Sequence, residues 1–271
     1  MPHSALPDLP AAAEDLRIAT CGTPGVWHGE VAAVWPAQSA RELLWYLHAH
    51  PAGVYRSRLL AELWDAAEES AALGRLRVTL HRLRGVLGGV DTVLLGEEGL
   101  LQLHPAVYAR SDVGLQAVAL AQAATLASGP LRLEGLQAAS EAASGEYLPQ
   151  IEAAWVQPER QRLQGLQQRL RLELAHEQCA GRQCACSLQT LQAALEQEPL
   201  LDEREHQRLM TCLAAQGGAA AALAHYRHYV RYLRSEVDDT PLPETRALAE
   251  ALHCGPVACR WGQEAGEAGK K

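Results

Sequence analysis

From Asp112 to Leu252 apolar residues recur at helical spacing almost without interruption, whereas Leu16 to Arg110 is cut into short segments by glycine and proline. Helices bury a stripe of period 3.6 and strands bury alternate residues, so this change of texture marks a small mixed module followed by a helical array. The expected class is mainly α with small β elements. A length of 271 residues suits two ordinary domains. The boundaries fall as a flexible leader over 1–15, a mixed domain over 16–110, a helical domain over 111–254, and a flexible glycine-rich tail over 255–271.

In the mixed part, Leu16 to Thr20 alternates like a strand, and Val26-Trp27 and Val31 to Val34 flank Gly29 as a small hairpin would. Ser39 is placed to cap a helix running to His48, and Ser57 to cap a second over Arg58 to Trp64. A third helix runs from Ser70 to Leu87 and stops at Gly88-Gly89. Thr92 to Leu95, Gly96 to Gly99 and Leu100 to Leu103 then spell strand, turn, strand. Sheet, three helices and hairpin is the order of a winged helix-turn-helix, which presents its last helix outward with the hairpin beside it.

On a wheel of about 100° per residue, Leu73, Leu76, Leu80, Leu83 and Leu87 share one face of the third helix. The far side carries Gly74, Val78, His81 and Gly85, with Arg75 and Arg82 on one shoulder and Arg77 and Arg84 on the other. Ser70 to Val90 holds four arginines and no acid, inside a chain of net charge −8. Arginine neutralises phosphates or makes two hydrogen bonds to guanine. Thr79 and His81 suit base edges or phosphate, and Val78 a thymine methyl. Arg56, Ser57 and Arg58 open the preceding helix, where unpaired amides favour a phosphate. The other reading of these arginines is a solvated face paired with Glu62, Asp65, Glu68 and Glu69.

The runs Ser39 to Leu44, His50 to Trp64 and Arg77 to Gly88 resemble the DNA-binding domain of OmpR-type regulators. The branch they resemble is SARP, which joins that domain to a bacterial transcriptional activator domain (BTAD). The resemblance spans about 16–252. It implies a transcription factor, more an activator than a repressor, that binds double-stranded DNA with the 70–87 helix in the major groove and the 92–103 hairpin across the minor groove. It also implies RNA polymerase as a partner through Asp65 to Glu69, and protein contacts or a homo-oligomer through the helical half. The chain departs from the family at the hairpin, where Leu95 and Leu100 replace a small polar residue and an aromatic, and at its tip, Glu97-Glu98, which repels phosphate. Gln38 and Ser39 stand where basic residues often precede the first helix.

In the helical half Leu188 and Leu223 are 35 residues apart, as are Leu191 and Tyr226. That period suggests tetratricopeptide-like (TPR-like) pairs of nested helices. Leu163, Leu166, Leu170 and Leu174 give Ile151 to Gly181 the pattern of one long amphipathic helix. His176, Cys179, Cys184, Cys186 and Cys212 match no standard zinc spacing and read as buried or half-buried thiols rather than a metal site. In Tyr226 to Arg234, Tyr226, Tyr229 and Leu233 follow core spacing, while Arg227, Arg231 and Arg234 form an outer stripe.

No signal peptide, membrane span or disulfide framework is expected from the leader, the longest apolar runs and the odd count of seven cysteines, which places the protein in the cytoplasm. No phosphate loop, His-Glu-x-x-His or nucleophile elbow occurs, so neither catalytic residues, cofactor nor metal are expected. The alternative to a DNA-binding regulator is a TPR-like adaptor whose winged domain has lost DNA binding. A thiol or metal sensor is the third reading.

Overall fold

The computed structural model describes residues 15–64, 69–255 and 257. Residues 1–14, 65–68, 256 and those beyond 257 lie outside the described residues, and with them the expected leader and most of the expected tail. What is described divides into two compact units. One holds residues up to Ala119 together with Glu141–Leu166, and the other holds Leu120–Ser140 together with residues from Gln167 onward.

The first unit opens with an antiparallel sheet of β1 (Leu16–Ala19), β2 (Gly25–His28) and β3 (Val31–Ala32). Leu16 and Ile18 point inward, while Arg17 lays its guanidinium over the ring of Trp27, its partner in register, at 4.4 Å. Then follow α1 (Gln38–His48), β4 (Val54–Tyr55), α2 (Arg56–Trp64), α3 (Glu69–Leu87), β5 (Val93–Leu95) and β6 (Leu100–Leu103). The last two strands form the wing. Its sheet has a third member that sequence pattern does not announce: the order is β4-β6-β5, with Val54 opposite Leu101. Two residues are too few to show alternation, and Gly53, with φ +89°, is what turns the chain into that register.

Both expected serine caps are corrected. Ala37 holds the cap position of α1 without a side-chain bond, and the Ser39 hydroxyl lies inside the helix, 3.4 Å from that of Thr79. Ser57 is the second residue of α2, because β4 runs directly into that helix, which begins at Arg56.

After the wing come α4 (Pro105–Tyr108) and α5 (Asp112–Ala123). Asp112 ties α5 to the end of β1. Its carboxylate accepts hydrogen bonds from the Thr20 and Cys21 amides, both at 2.8 Å, from the Thr20 hydroxyl, and from the Val113 amide at 2.9 Å. Burial, then the Asp112 charge, push the Cys21 thiol up to about 12. Two residues on, a Cβ at Gly114 would stand 2.1 Å from the Tyr108 carbonyl oxygen, so this approach admits only glycine. Gly114→Ala is expected to cost about 2 kcal/mol through overpacking. Urea denaturation followed by circular dichroism would measure it, and an unchanged midpoint would show that the backbone relaxes freely there.

Residues 141–166 complete this unit. They include the end of α6 (Pro130–Ala142), a strap over 146–151 and the start of α7 (Gln157–Ala180). The Leu148 amide donates to the Thr20 carbonyl at 2.8 Å. The Arg160 guanidinium donates to the carbonyls of Tyr147, Leu148 and Ile151 at 2.9, 2.6 and 2.9 Å, and pairs with Glu146 at 3.2 Å. Three irregular carbonyls are thus satisfied by one rigid donor fork. Leu148, Val156 and Leu163 join Leu43, Leu47, Leu59, Leu83, Leu87 and Leu101 in one core, each leucine contributing about 1.5–3 kcal/mol by leaving water. Wholly buried among them, His48 stacks on Tyr108 with ring centroids 4.7 Å apart and shares a 2.8 Å hydrogen bond with the Tyr147 hydroxyl. Burial, aided by the Arg162 cation, pushes its imidazole down to about 3.

The long helix expected from Ile151 begins only at Gln157, preceded by a single turn of 3-10 helix over Ala154–Val156. Pro158 has no N–H to extend a helical ladder behind it, so it fits a first turn and not an interior. Leu163, Leu170 and Leu174 are buried as the periodicity predicts.

In the second unit Glu177 accepts from the Ser128 hydroxyl and the Gly129 amide at the entrance to α6, and Arg132 pairs with Glu173 and Glu177. Four helices follow: α8 (Cys184–Gln197), α9 (Glu203–Gly217), α10 (Ala219–Tyr232) and α11 (Pro243–Cys254). Cys184 and Ala219 begin α8 and α10 at the 35-residue spacing seen in the leucine pattern. Leu191 and Leu195 pack with Ala175 and Leu209, and Met210 with Ala222, Leu223 and Leu252. The fold is therefore mainly helical, with small sheets in a winged helix-turn-helix arrangement and a TPR-like helical array.

Candidate nucleic-acid interface

The leucines of α3 set which of its side chains face outward. Leu76, Leu80, Leu83 and Leu87 are buried, and so are Ala72, Thr79 and Val86, while Leu73 is half-buried. The buried arc is thus wider than the leucine stripe and extends roughly 80° to one side of its centre at about 100° per residue. Thr79 lies on that extension, 1% exposed and beside Ser39. It is a contact between α3 and α1, and is not exposed for the base-edge or phosphate contact expected of it.

Arg75, Arg77, Val78, His81 and Arg82 are exposed, Val78 to 50%. A solvent-facing valine amid arginines gains nothing from water. Gly74 and Gly85 lie on the same side with open space where a Cβ would be, so this face presents bare backbone between guanidinium groups. Arg75 leans on α2, its guanidinium carbon 4.8 Å from the centre of the Trp64 ring. Among the described residues Arg75, Arg77 and Arg82 form no ion pair; Asp65 and Glu68, which the solvated-face reading would pair with them, lie outside that set, as does the Glu69 side chain.

Arg84 does something else. It is half-buried, and one of its terminal nitrogens donates to the Val93 carbonyl at 2.7 Å, so it fastens the first strand of the wing to α3. His28 ties β2 to the same end of α3, donating from Nε2 to the Val86 carbonyl at 2.7 Å. Neither tie is visible in a helical wheel, which records direction and not neighbours.

At the start of α2, Arg56, Ser57 and Arg58 are all exposed. Arg56 lies beside the wing turn, where a Cβ on Gly99 would come within 3.6 Å of its own Cβ. Arg58 is already engaged with Glu62 at 2.7 Å, one turn along, and the Tyr46 hydroxyl donates to the same carboxylate at 2.9 Å. Burial alone would raise the Glu62 carboxyl, but these two hydrogen bonds hold it below the usual range. The wing tip, Glu97–Gly99, turns through Glu98 in the left-handed region at φ 56°. Its two carboxylates are exposed, and Leu95 beside them is 61% exposed.

The cysteines of the thiol or metal reading differ in exposure. Cys179 and Cys212 are buried, Cys184 and Cys186 exposed, and His176 faces Glu205 at 2.9 Å. Among the described residues no three His, Cys, Asp or Glu side chains are grouped to hold a metal ion. No described helix is long and apolar enough to cross a membrane.

A winged module with an arginine-faced helix, followed by paired helices, defines a class of bacterial regulators. Residues 106–253 match the model of the bacterial transcriptional activator domain. The chain belongs to that family, among the SARP-type transcriptional regulators. It is similar to the regulatory protein AfsR of Streptomyces griseus, 27% identical over 266 residues, and to AfsR of Streptomyces coelicolor, 28% identical over 271. Each match takes in 93% of this chain but 26% of the relative, so the chain spans about a quarter of the AfsR proteins. A solved structure of Mycobacterium tuberculosis EmbR in complex with a low-affinity phosphopeptide has the same fold. It superposes with a TM-score of 0.71 at 20% identity, over 94% of this chain and 69% of that one.

Proposed function

We propose that the chain is a sequence-specific DNA-binding transcriptional regulator, an activator, that seats α3 in the major groove of double-stranded DNA. The observation that carries this reading is the outer face of α3, where Arg75, Arg77 and Arg82 flank Val78 and His81. Arg77 and Arg82 contact phosphate or guanine, His81 a base edge, and Val78 a thymine methyl. Arg56 and Ser57 meet the backbone at the start of α2. Arg58 joins them once it exchanges Glu62 for a phosphate. Thr79 and Arg84 act indirectly, holding α3 against α1 and the wing against α3. The regulator acts in the cytoplasm without catalysis, through its helical half and through RNA polymerase.

The competing reading, an adaptor without DNA, is favoured by the paired carboxylates at the wing tip. Gel-shift titration against genomic fragments separates the two. A regulator retards particular fragments with an affinity that falls as salt rises. Arg77→Ala with Arg82→Ala is expected to weaken that binding and to make the slope of log affinity against log salt shallower by about 2, roughly one unit per lost phosphate contact. Unaltered affinity and slope in the double variant would remove α3 from the interface, and no retarded fragment at any salt would leave the adaptor.

A further inference from the structure

The helical unit contains a cavity that the proposed DNA contacts do not use. It opens between α8, α9 and α10 with a volume of about 520 Å³, and is lined by leucines together with Gln192, Glu196, His206, His225, His228, Tyr229 and Tyr232. That volume suits a molecule of small-ligand size.

The hydrogen bonds fix which way its imidazoles face. His206 Nε2 is 3.0 Å from the Pro199 carbonyl, which can only accept, so His206 carries its proton there. Its Nδ1 is then a lone pair, 3.1 Å from His225 Nε2, which must donate to it. His225, which lines the cavity, is left with a lone pair on Nδ1. Burial keeps both rings neutral in ordinary conditions, lowering His206 and pushing His225 down to about 4 with help from His206 and His228. His206 also stacks on Tyr229 at 3.8 Å and on His225 at 5.3 Å, so the wall is a bank of near-parallel rings.

This wall offers aromatic faces, an acceptor nitrogen and, at the rim, the Glu196 carboxylate. Among the described residues that line it there is no lysine or arginine, and His228 is its exposed imidazole. Glu196 is the one carboxylate among the described lining residues, so with the aromatic rings the set favours a cation that can donate a hydrogen bond. We propose that this cavity binds a small aromatic molecule carrying a protonated amine, its ring against the leucines and the His206–Tyr229 stack and its ammonium between His225 Nδ1 and Glu196. The site is independent of DNA contact, and its occupancy is read without DNA.

Isothermal titration of the full chain with tryptamine, tryptophol and indole-3-propionate tests this, because the three share a ring and differ in the charged end. Tryptamine is expected to bind at least about tenfold tighter than the propionate, with the alcohol between them, a ratio equal to about 1.4 kcal/mol. Glu196→Gln, a change at an exposed position that leaves the fold intact, is expected to weaken tryptamine about threefold and leave tryptophol unchanged. The lysine derivative Nα-acetyl-lysinamide, an amine without a ring, is expected to bind at least about tenfold more weakly than tryptamine. Equal affinity for amine and acid, or no binding of any indole, would overturn the proposal. So would an unchanged tryptamine affinity in Glu196→Gln. A lysine derivative as tight as tryptamine would also overturn it, and would point to the lysine side chain of a protein partner as occupant.

Discussion

Lowering the pH from 7 to 4 is expected to remove about 3 kcal/mol of stability through His48 alone. The ring is wholly buried, and burial with the neighbouring Arg162 cation pushes it down to about 3. In the unfolded chain the same imidazole takes up its proton in the ordinary histidine range near 6.5. Between those two values the unfolded state therefore binds the extra proton and the native state does not, so stability is complete above the upper value and falls with pH until the lower one is passed. A loss of this size is a large part of the roughly 5–15 kcal/mol that a domain has in hand. His206 and His225 add acid sensitivity of the same sign in the helical unit. The His48 share is isolated by difference. His48→Gln keeps a polar group facing the Tyr147 hydroxyl but cannot take up a proton in this range. Urea unfolding of the two proteins, followed by tryptophan fluorescence at pH 7, 5.5 and 4, should give stability curves that converge as pH falls. Parallel curves would mean that His48 is reached by water or already protonated in the native state.

What the sequence reveals and what it hides both follow from how local the information is. The leucines of α3 announce a helix and its inner side because periodicity is a property of one segment. Thr79 is misread because a hydroxyl counts as polar in any pattern, while in the fold it sits in line with Ala72 and Val86 and meets Ser39 from another helix. Arg84 is misread for the same reason: nothing in 69–87 says that the Val93 carbonyl will lie within reach of its guanidinium. The exposed set, Arg75, Arg77, Val78, His81 and Arg82, is recoverable from the wheel because exposure needs only the absence of neighbours. The packing of 141–166 with the first unit is the largest feature not legible beforehand. Amphipathicity tells that Leu163 must be covered, but not that Leu43 and Leu83 belong to the core that covers it. His48 illustrates the limit further, since its polar partner, Tyr147, lies 99 residues away.

Asp112→Ala is expected to cost about 4 kcal/mol, more than any other single substitution considered for the first unit. The carboxylate is 8% exposed and is the acceptor for two backbone amides and a hydroxyl at the end of β1, and for the first amide within its own helix. Hydrogen bonds to an ionised acceptor contribute about 1.5–3 kcal/mol each, and removing the acceptor strands buried donors that water can reach only by opening the structure. The loss is not the sum of all four, because the Thr20 hydroxyl can turn toward another acceptor and the Val113 amide belongs to an exposable first helical turn. The Thr20 and Cys21 amides are fixed in direction by the strand and have no such freedom. Asp112→Asn is expected to recover about half of the loss: its carbonyl oxygen still accepts, while its NH2 confronts an N–H donor where the second oxygen stood. Urea denaturation gives the two free energies. Mass-spectrometric mapping of thiol labelling gives an independent local readout, since Cys21 is shielded by this same junction and should react faster in Asp112→Ala, whereas exposed Cys184 and Cys186 should react as before. A loss below about 1 kcal/mol with unchanged labelling at Cys21 would show that the β1 amides find other partners and that the strand does not depend on α5 for its anchorage.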